Sequence, residues 1–97
     1  MTNRINQLAA LIGNTPLIGI RYKYKNHEST IYAKLEYYNY TGSIKDRMAL
    51  RILQDAVSNN QLTSDSTIIE ATSGNTGIAF ASLGSALGTK VTIIMPD

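Results

Sequence analysis

Apolar residues recur at steps of three and four in some stretches of the chain and alternate with polar ones in others. Ile5, Leu8, Ala9 and Ile12 follow the helical step and predict a short first helix ending at Gly13. Pro16 opens an extended stretch, Leu17 to Ile20, and the polar run Lys23 to Ser29 predicts a surface turn. Ile31, Ala33 and Leu35 alternate with Tyr32, Lys34 and Glu36, the pattern of a strand with one face covered. After the turn signal Asn39-Tyr40-Thr41-Gly42 comes an amphipathic helix. Met48, Ala49, Ile52, Leu53, Ala56 and Val57 fall on one side of it, Arg47, Arg51, Gln54 and Asp55 elsewhere, and Asn59-Asn60 stops it.

The second half is simpler. Thr67 to Ala71 reads as a short apolar strand, Thr76 to Leu87 as a small-residue helix closed by Gly88, and Val91 to Met95 as another strand. Strand, helix and strand with short loops make a βαβ unit, hence a parallel sheet with a right-handed crossover. The class is α/β, and the strands of the first half have no assigned place in it. No repeat, low-complexity tract or linker divides residues 1–97. The chain stops as its last strand leaves the sheet, so a truncated sequence is expected.

Composition removes several function classes. Nine Lys plus Arg against seven Asp plus Glu leave +2, and the cations are scattered, so neither nucleic acid nor an anionic membrane is an expected partner. The absence of cysteine excludes a disulfide framework and a thiolate metal site, and the single histidine, His27, stands without clustered carboxylates. No signal-like segment or apolar run of membrane-spanning length is present. A cytoplasmic protein is the expectation.

Two loops carry candidate chemistry. In Thr41-Gly42-Ser43-Ile44-Lys45-Asp46-Arg47, Ser43 and Asp46 have capping-box spacing. Lys45 then falls in the first helical turn, where the helix dipole and Arg47 both disfavour an ammonium and favour an amine able to attack a carbonyl. From placement alone, a surface lysine on an amphipathic helix is the simpler reading. The second loop, Thr72-Ser73-Gly74-Asn75-Thr76-Gly77, leaves the carboxyl end of a parallel strand and opens a helix. Free amides, glycines and hydroxyls there suit a carboxylate or phosphate. A tight turn with a cap explains the same residues equally well.

Together with Ile12-Gly13-Asn14-Thr15-Pro16-Leu17, and more weakly Lys34-Leu35-Glu36, these loops resemble the cysteine synthase family of fold-type-II pyridoxal phosphate enzymes. The order and spacing of the blocks match over essentially the whole chain. The resemblance implies the parallel-sheet, three-layer architecture of the tryptophan synthase β-like fold, with pyridoxal 5′-phosphate as cofactor. Lys45 stands at the Schiff-base position, where the lysine also shuttles the substrate's α-proton. Thr72, Ser73, Gly74, Asn75 and Thr76 stand where the substrate carboxylate binds, and Asn75 matches the asparagine that meets the cofactor's ring hydroxyl.

The implied reaction is a β-replacement of the transferase or lyase type. It forms L-cysteine from O-acetyl-L-serine and sulfide through an aminoacrylate, in a full-length enzyme expected to be a cytoplasmic homodimer. Tyr40 departs from the family's usual proline and Thr41 from its common glycine, which leaves the turn less stiff. The family's phosphate loop and the partner of its pyridine nitrogen fall after Asp97, so these 97 residues alone are expected not to catalyse the reaction. A cystathionine β-synthase-like enzyme, a non-catalytic remnant and an unrelated anion-binding module are the alternatives.

Overall fold

The strand–helix–strand pattern of the second half folds as the sequence predicts. In the computed structural model, which describes all residues from Met1 to Asp97, the elements are α1 (Thr2–Ala9), β1 (Leu17–Tyr24), β2 (His27–Lys34), a 3-10 turn (Glu36–Tyr38), α2 (Lys45–Ser58), β3 (Thr67–Ala71), α3 (Asn75–Ala86) and β4 (Lys90–Ile94). β3 and β4 pair in parallel from Thr67 opposite Lys90 to Ala71 opposite Ile94. The Thr72 amide continues the ladder to the Ile94 carbonyl at 3.0 Å.

Helix α3 packs on β3 and β4, α2 packs on α3, and α1 packs on α2. Ile5 and Leu8 of α1, Ala49, Leu50 and Leu53 of α2, Leu62, and Ala79, Phe80, Leu83 and Leu87 around α3 form the core. α3 lies low on the sheet because Gly84 presents only hydrogen to it. A Cβ there would come within 2.3 Å of Val91 Cγ2 and 3.1 Å of Ile68 Cδ1. Glycine inside a helix costs about 1 kcal/mol against alanine, so its place here is explained by this close approach.

Four local expectations are corrected. α1 ends at Ala9 rather than Gly13, because Leu11 and Ile12 turn back to carbonyls only three residues earlier. On α2 the buried stripe is Asp46, Ala49, Leu50 and Leu53, whereas Met48 and Ile52 are 40% and 49% exposed. α1 and α3 cover only one side of that helix, and these two residues lie outside it. The polar run Lys23 to Ser29 shrinks to a two-residue turn at Lys25-Asn26, both left-handed (φ 48° and 65°), which suits the twist of a tight hairpin. The β1–β2 hairpin therefore extends to Tyr24 and His27.

The strand through Ile31 and Ala33 is also not covered on one face. Ile18, Ile20, Ile31 and Ala33 do share a face, with Ile20 opposite Ile31 and Ile18 opposite Ala33. Ile20 and Ile31 are nonetheless 47% and 55% exposed, because no helix or other strand packs broadly against the hairpin. It projects as an arm, and the radius of gyration is 17.1 Å. A compact chain of this length would have about 12.5 Å.

What joins the arm to the helical body is a knot of polar groups. Gly13 and Asn14 are both left-handed (φ 84° and 48°) and turn the chain so that the Thr15 hydroxyl donates to Glu36 Oε1 at 2.8 Å. A side chain at Gly13 would also crowd Arg47, whose Nη1 lies 3.2 Å from the Cβ position. Arg47 forks onto Glu36, Nε to Oε2 and Nη2 to Oε1, both at 2.9 Å. Asn39 Nδ2 donates to Glu36 Oε2 at 2.6 Å, and Asn39 Oδ1 accepts the Gly13 amide at 2.7 Å. Lys34 caps the Thr15 carbonyl. Hydrogen bonding from Arg47, opposed in part by burial and aided by Asn39 and Thr15, lowers the Glu36 carboxyl from 4.5 to about 2.

Two outcomes follow for the intact polypeptide. Gly84→Ala should lower stability by about 1–3 kcal/mol, the usual cost of overpacking; a urea midpoint equal to the parent's would show that α3 can rise from the sheet freely. Glu36→Gln should be less stable than the parent at neutral pH, and the sign of its pH dependence is set. The folded carboxyl titrates below the unfolded one, so its contribution is complete above about pH 4.5 and disappears as pH falls through about 2. Urea midpoints of parent and variant should converge across that window; a constant gap would remove the ionised carboxylate as its cause.

Candidate active site

Helix α2 starts at Lys45, and the loop before it is tied down differently from a capping box. Ser43 Oγ accepts the Lys45 amide at 3.2 Å, while the Asp46 amide reaches only the Ser43 carbonyl at 3.4 Å. The Asp46 carboxylate passes over Ser43 and takes Thr41, its backbone amide at 2.6 Å and also its hydroxyl. The cause is Ile44, which is already helical (φ −63°, ψ −21°) and winds the chain one residue before α2 begins. Asp46 is fully buried and its charge is met by these two donors. The guanidinium of Arg47, expected to bear on Lys45, is matched by Glu36 instead.

The Lys45 side chain is exposed and makes no hydrogen bond or ion pair. Tyr40, just before Thr41, lines a shallow groove with Ala81, Ser82, Ser85 and Ala86 of α3.

The loop Thr72 to Thr76 lies at the carboxyl end of β3, where a parallel strand hands over to a helix. α3 begins at Asn75, and no side chain caps it. The amides of Ser73, Asn75 and Thr76 donate to no group of the chain, and Gly74 donates only a long bond of 3.5 Å to Thr72 Oγ1. Ser73, Gly74 and Asn75 are exposed, Thr72 and Thr76 half-buried. A Cβ on Gly74 would meet nothing within 4 Å, so the chain leaves open space beside Gly74. Unsatisfied amides at a helix start suit an oxyanion.

The two loops sit on one body because α2 and α3 pack together, though no hydrogen bond links Lys45 to Thr72–Thr76. Sequence reasoning did not foresee that Thr15, Glu36, Asn39 and Arg47 come together, and they form the knot beneath the lysine loop. Thr15 and Glu36 fall in two of the blocks that carry the family resemblance, but only Asn39 stands close in sequence to the carboxylate it meets.

The chain is similar to known proteins over its whole length. A "Probable cysteine synthase" of Bacillus subtilis is 41% identical over 97 residues, covering 100% of this chain and 31% of its own. A "Cysteine synthase" of Flavobacterium sp. is 48% identical over 86 residues, 89% of this chain and 28% of its own. The crystal structure of a hydrogen sulfide-producing enzyme from Fusobacterium nucleatum superposes with a TM-score of 0.93 at 46% identity, covering 100% of this chain and 29% of that one. The chain thus spans about three-tenths of the length of these relatives. No helix is long and apolar enough to cross a membrane. The family model described as "Pyridoxal-phosphate dependent enzyme" matches residues 8–97, and the chain belongs to that family.

Proposed function

We propose that this chain carries the lysine loop and the carboxylate loop of a cysteine synthase-type enzyme that makes L-cysteine from O-acetyl-L-serine and sulfide. One observation carries the reading most: at the start of α2 a lysine amine stands without a partner in a loop whose other polar side chains are all engaged. The residues present fit the family's cofactor by their donor chemistry. A free amine suits its aldehyde, and the open amides of Ser73, Asn75 and Thr76 suit an anion. When bound, pyridoxal phosphate supplies an electron sink that acidifies the substrate's α-carbon.

In this reading Lys45 would hold the cofactor through its amine. Once released, its amine takes the proton from the substrate's α-carbon as acetate leaves the β-carbon, and returns it after sulfide has added there. Thr72, Ser73, Gly74, Asn75 and Thr76 bind the substrate carboxylate and orient the Cα–H bond, and the Asn75 amide also meets the cofactor's ring hydroxyl. A cytoplasmic homodimer of transferase or lyase type belongs to the same reading, supported by the family resemblance. A second reading has support from the Fusobacterium nucleatum enzyme, 46% identical across the chain. The same residues would then serve release of sulfide from a β-substituted amino acid. Assaying cysteine formation from O-acetylserine and sulfide beside sulfide release from cysteine separates the two.

In the intact polypeptide, Lys45→Ala should lose covalent cofactor, read by borohydride trapping and peptide mass, and should lose turnover; normal cysteine formation would remove Lys45 from its role. Thr76→Ala should weaken amino-acid binding by about 1–3 kcal/mol, the range for a hydrogen bond to a charged group. Asn75→Ala should shift the cofactor's visible spectrum. Parent-like affinity and spectrum in these two variants would remove the Thr76 and Asn75 side chains from substrate and cofactor binding.

A further inference from the structure

Every polar side chain from Thr41 to Arg47 is engaged except one. The Ser43 hydroxyl accepts from the Lys45 amide, the Asp46 carboxylate takes the amide and hydroxyl of Thr41, and Arg47 forks onto Glu36. The Lys45 amine alone has no partner. Asp46 itself cannot serve that amine, because adjacent helical residues do not face each other and both its oxygens are taken within five residues. Withdrawing a fully buried carboxylate from its donors is costly, so the ring from Thr41 to Asp46 is stiff. Lys45 and Asp46 share one planar peptide unit, and whatever holds Asp46 holds the Lys45 backbone as well.

We propose that Asp46, acting through Thr41, is a positioning residue that fixes the backbone of Lys45 while leaving its amine free to reach a bound aldehyde. The proposal rests on the reading that Lys45 carries the cofactor. Its logic is that of preorganisation: a reacting group on a rigid base meets its target without first ordering a loop. Arg47 adds a second anchor one residue further on, so the lysine is the one polar side chain of the turn left without a partner.

The test uses the intact polypeptide stripped of cofactor, with pyridoxal phosphate itself as the probe. The rate of covalent attachment is followed by visible absorbance and, after borohydride reduction, by the mass of the Lys45 peptide. Thr41→Val, which removes the hydroxyl but keeps the shape, should slow attachment on the order of ten-fold or more, as misplacement of a reacting group does. Thr41→Ser should restore the rate to within about two-fold, since it keeps the donor. Hydrogen exchange at the Thr41 amide should quicken in the valine variant and recover in the serine variant. Leu53→Ala, a core change compared at equal fraction folded, should attach at the parent rate, which separates positioning from plain loss of stability.

Asp46→Asn keeps the shape without the charge, is read in the same way, and covers a Thr41→Val that does not fold. Attachment by Thr41→Val and Asp46→Asn at the rate of Leu53→Ala, with attachment lost in Lys45→Ala, overturns the positioning role and leaves the Lys45 assignment standing. Attachment that survives Lys45→Ala overturns the assignment of Lys45 and the proposal with it.

Discussion

The fork between Arg47 and Glu36 is the contact through which the arm, the first loop and the helical body become one object. Its two bonds of 2.9 Å join residues eleven apart, yet Thr15 and Asn39 close on the same carboxylate and bring Gly13 with them. A carboxylate that accepts four donors from three segments specifies direction as well as distance, which apolar packing does not. The arm lies beyond the core, so this knot rather than buried area sets where it leaves the body. The same knot lies under α2, and Arg47 is two residues past the lysine.

Gly84 imposes a second constraint of a different kind. It lets α3 sit on Val91 and Ile68 with no side chain between them, and Gly77, two turns earlier, does the same against Ile93 and Thr72. The start of α3 is thereby held at the carboxyl end of β3, and the free amides of the Thr72–Thr76 loop face out from a fixed backbone. The low seat of the helix and the open cradle at its start are one feature seen from two ends.

Much of this was legible in the sequence where periodicity and local chemistry agree. Thr67–Ala71 was bounded correctly and α3 and β4 to within a residue, because short apolar runs between glycines and polar turns leave few alternatives. The hairpin was cut short because Lys23 to Ser29 read as loop by polarity. Yet Tyr22 and Tyr24 continue the alternation begun at Ile18, and Asn26 is a residue that tolerates a left-handed turn. The capping box failed for a conformational reason, the early helical turn at Ile44, which no spacing rule encodes. The knot was out of reach because its members are up to thirty-two residues apart and a single sequence records no pairing between them.

The parts of the lysine loop read most easily, the glycine, the serine and the helix start, say only that a turn enters a helix. What separates a reactive lysine from a surface one is the state of its neighbours, and that state was hidden: Asp46 turned inward, Arg47 turned to Glu36, Ser43 on the backbone. Had Asp46 capped Ser43 as expected, Thr41 would lack both of its bonds to the carboxylate, and only the Gly42 amide on the Asn39 carbonyl would tether the turn. With the carboxylate carried back to Thr41, the turn is tied at both Thr41 and Gly42, and the Lys45 amine stays unpartnered at the end of its four methylenes. A side chain proposed to hold a ligand and move a proton is better served by a tied backbone than by a flexible turn.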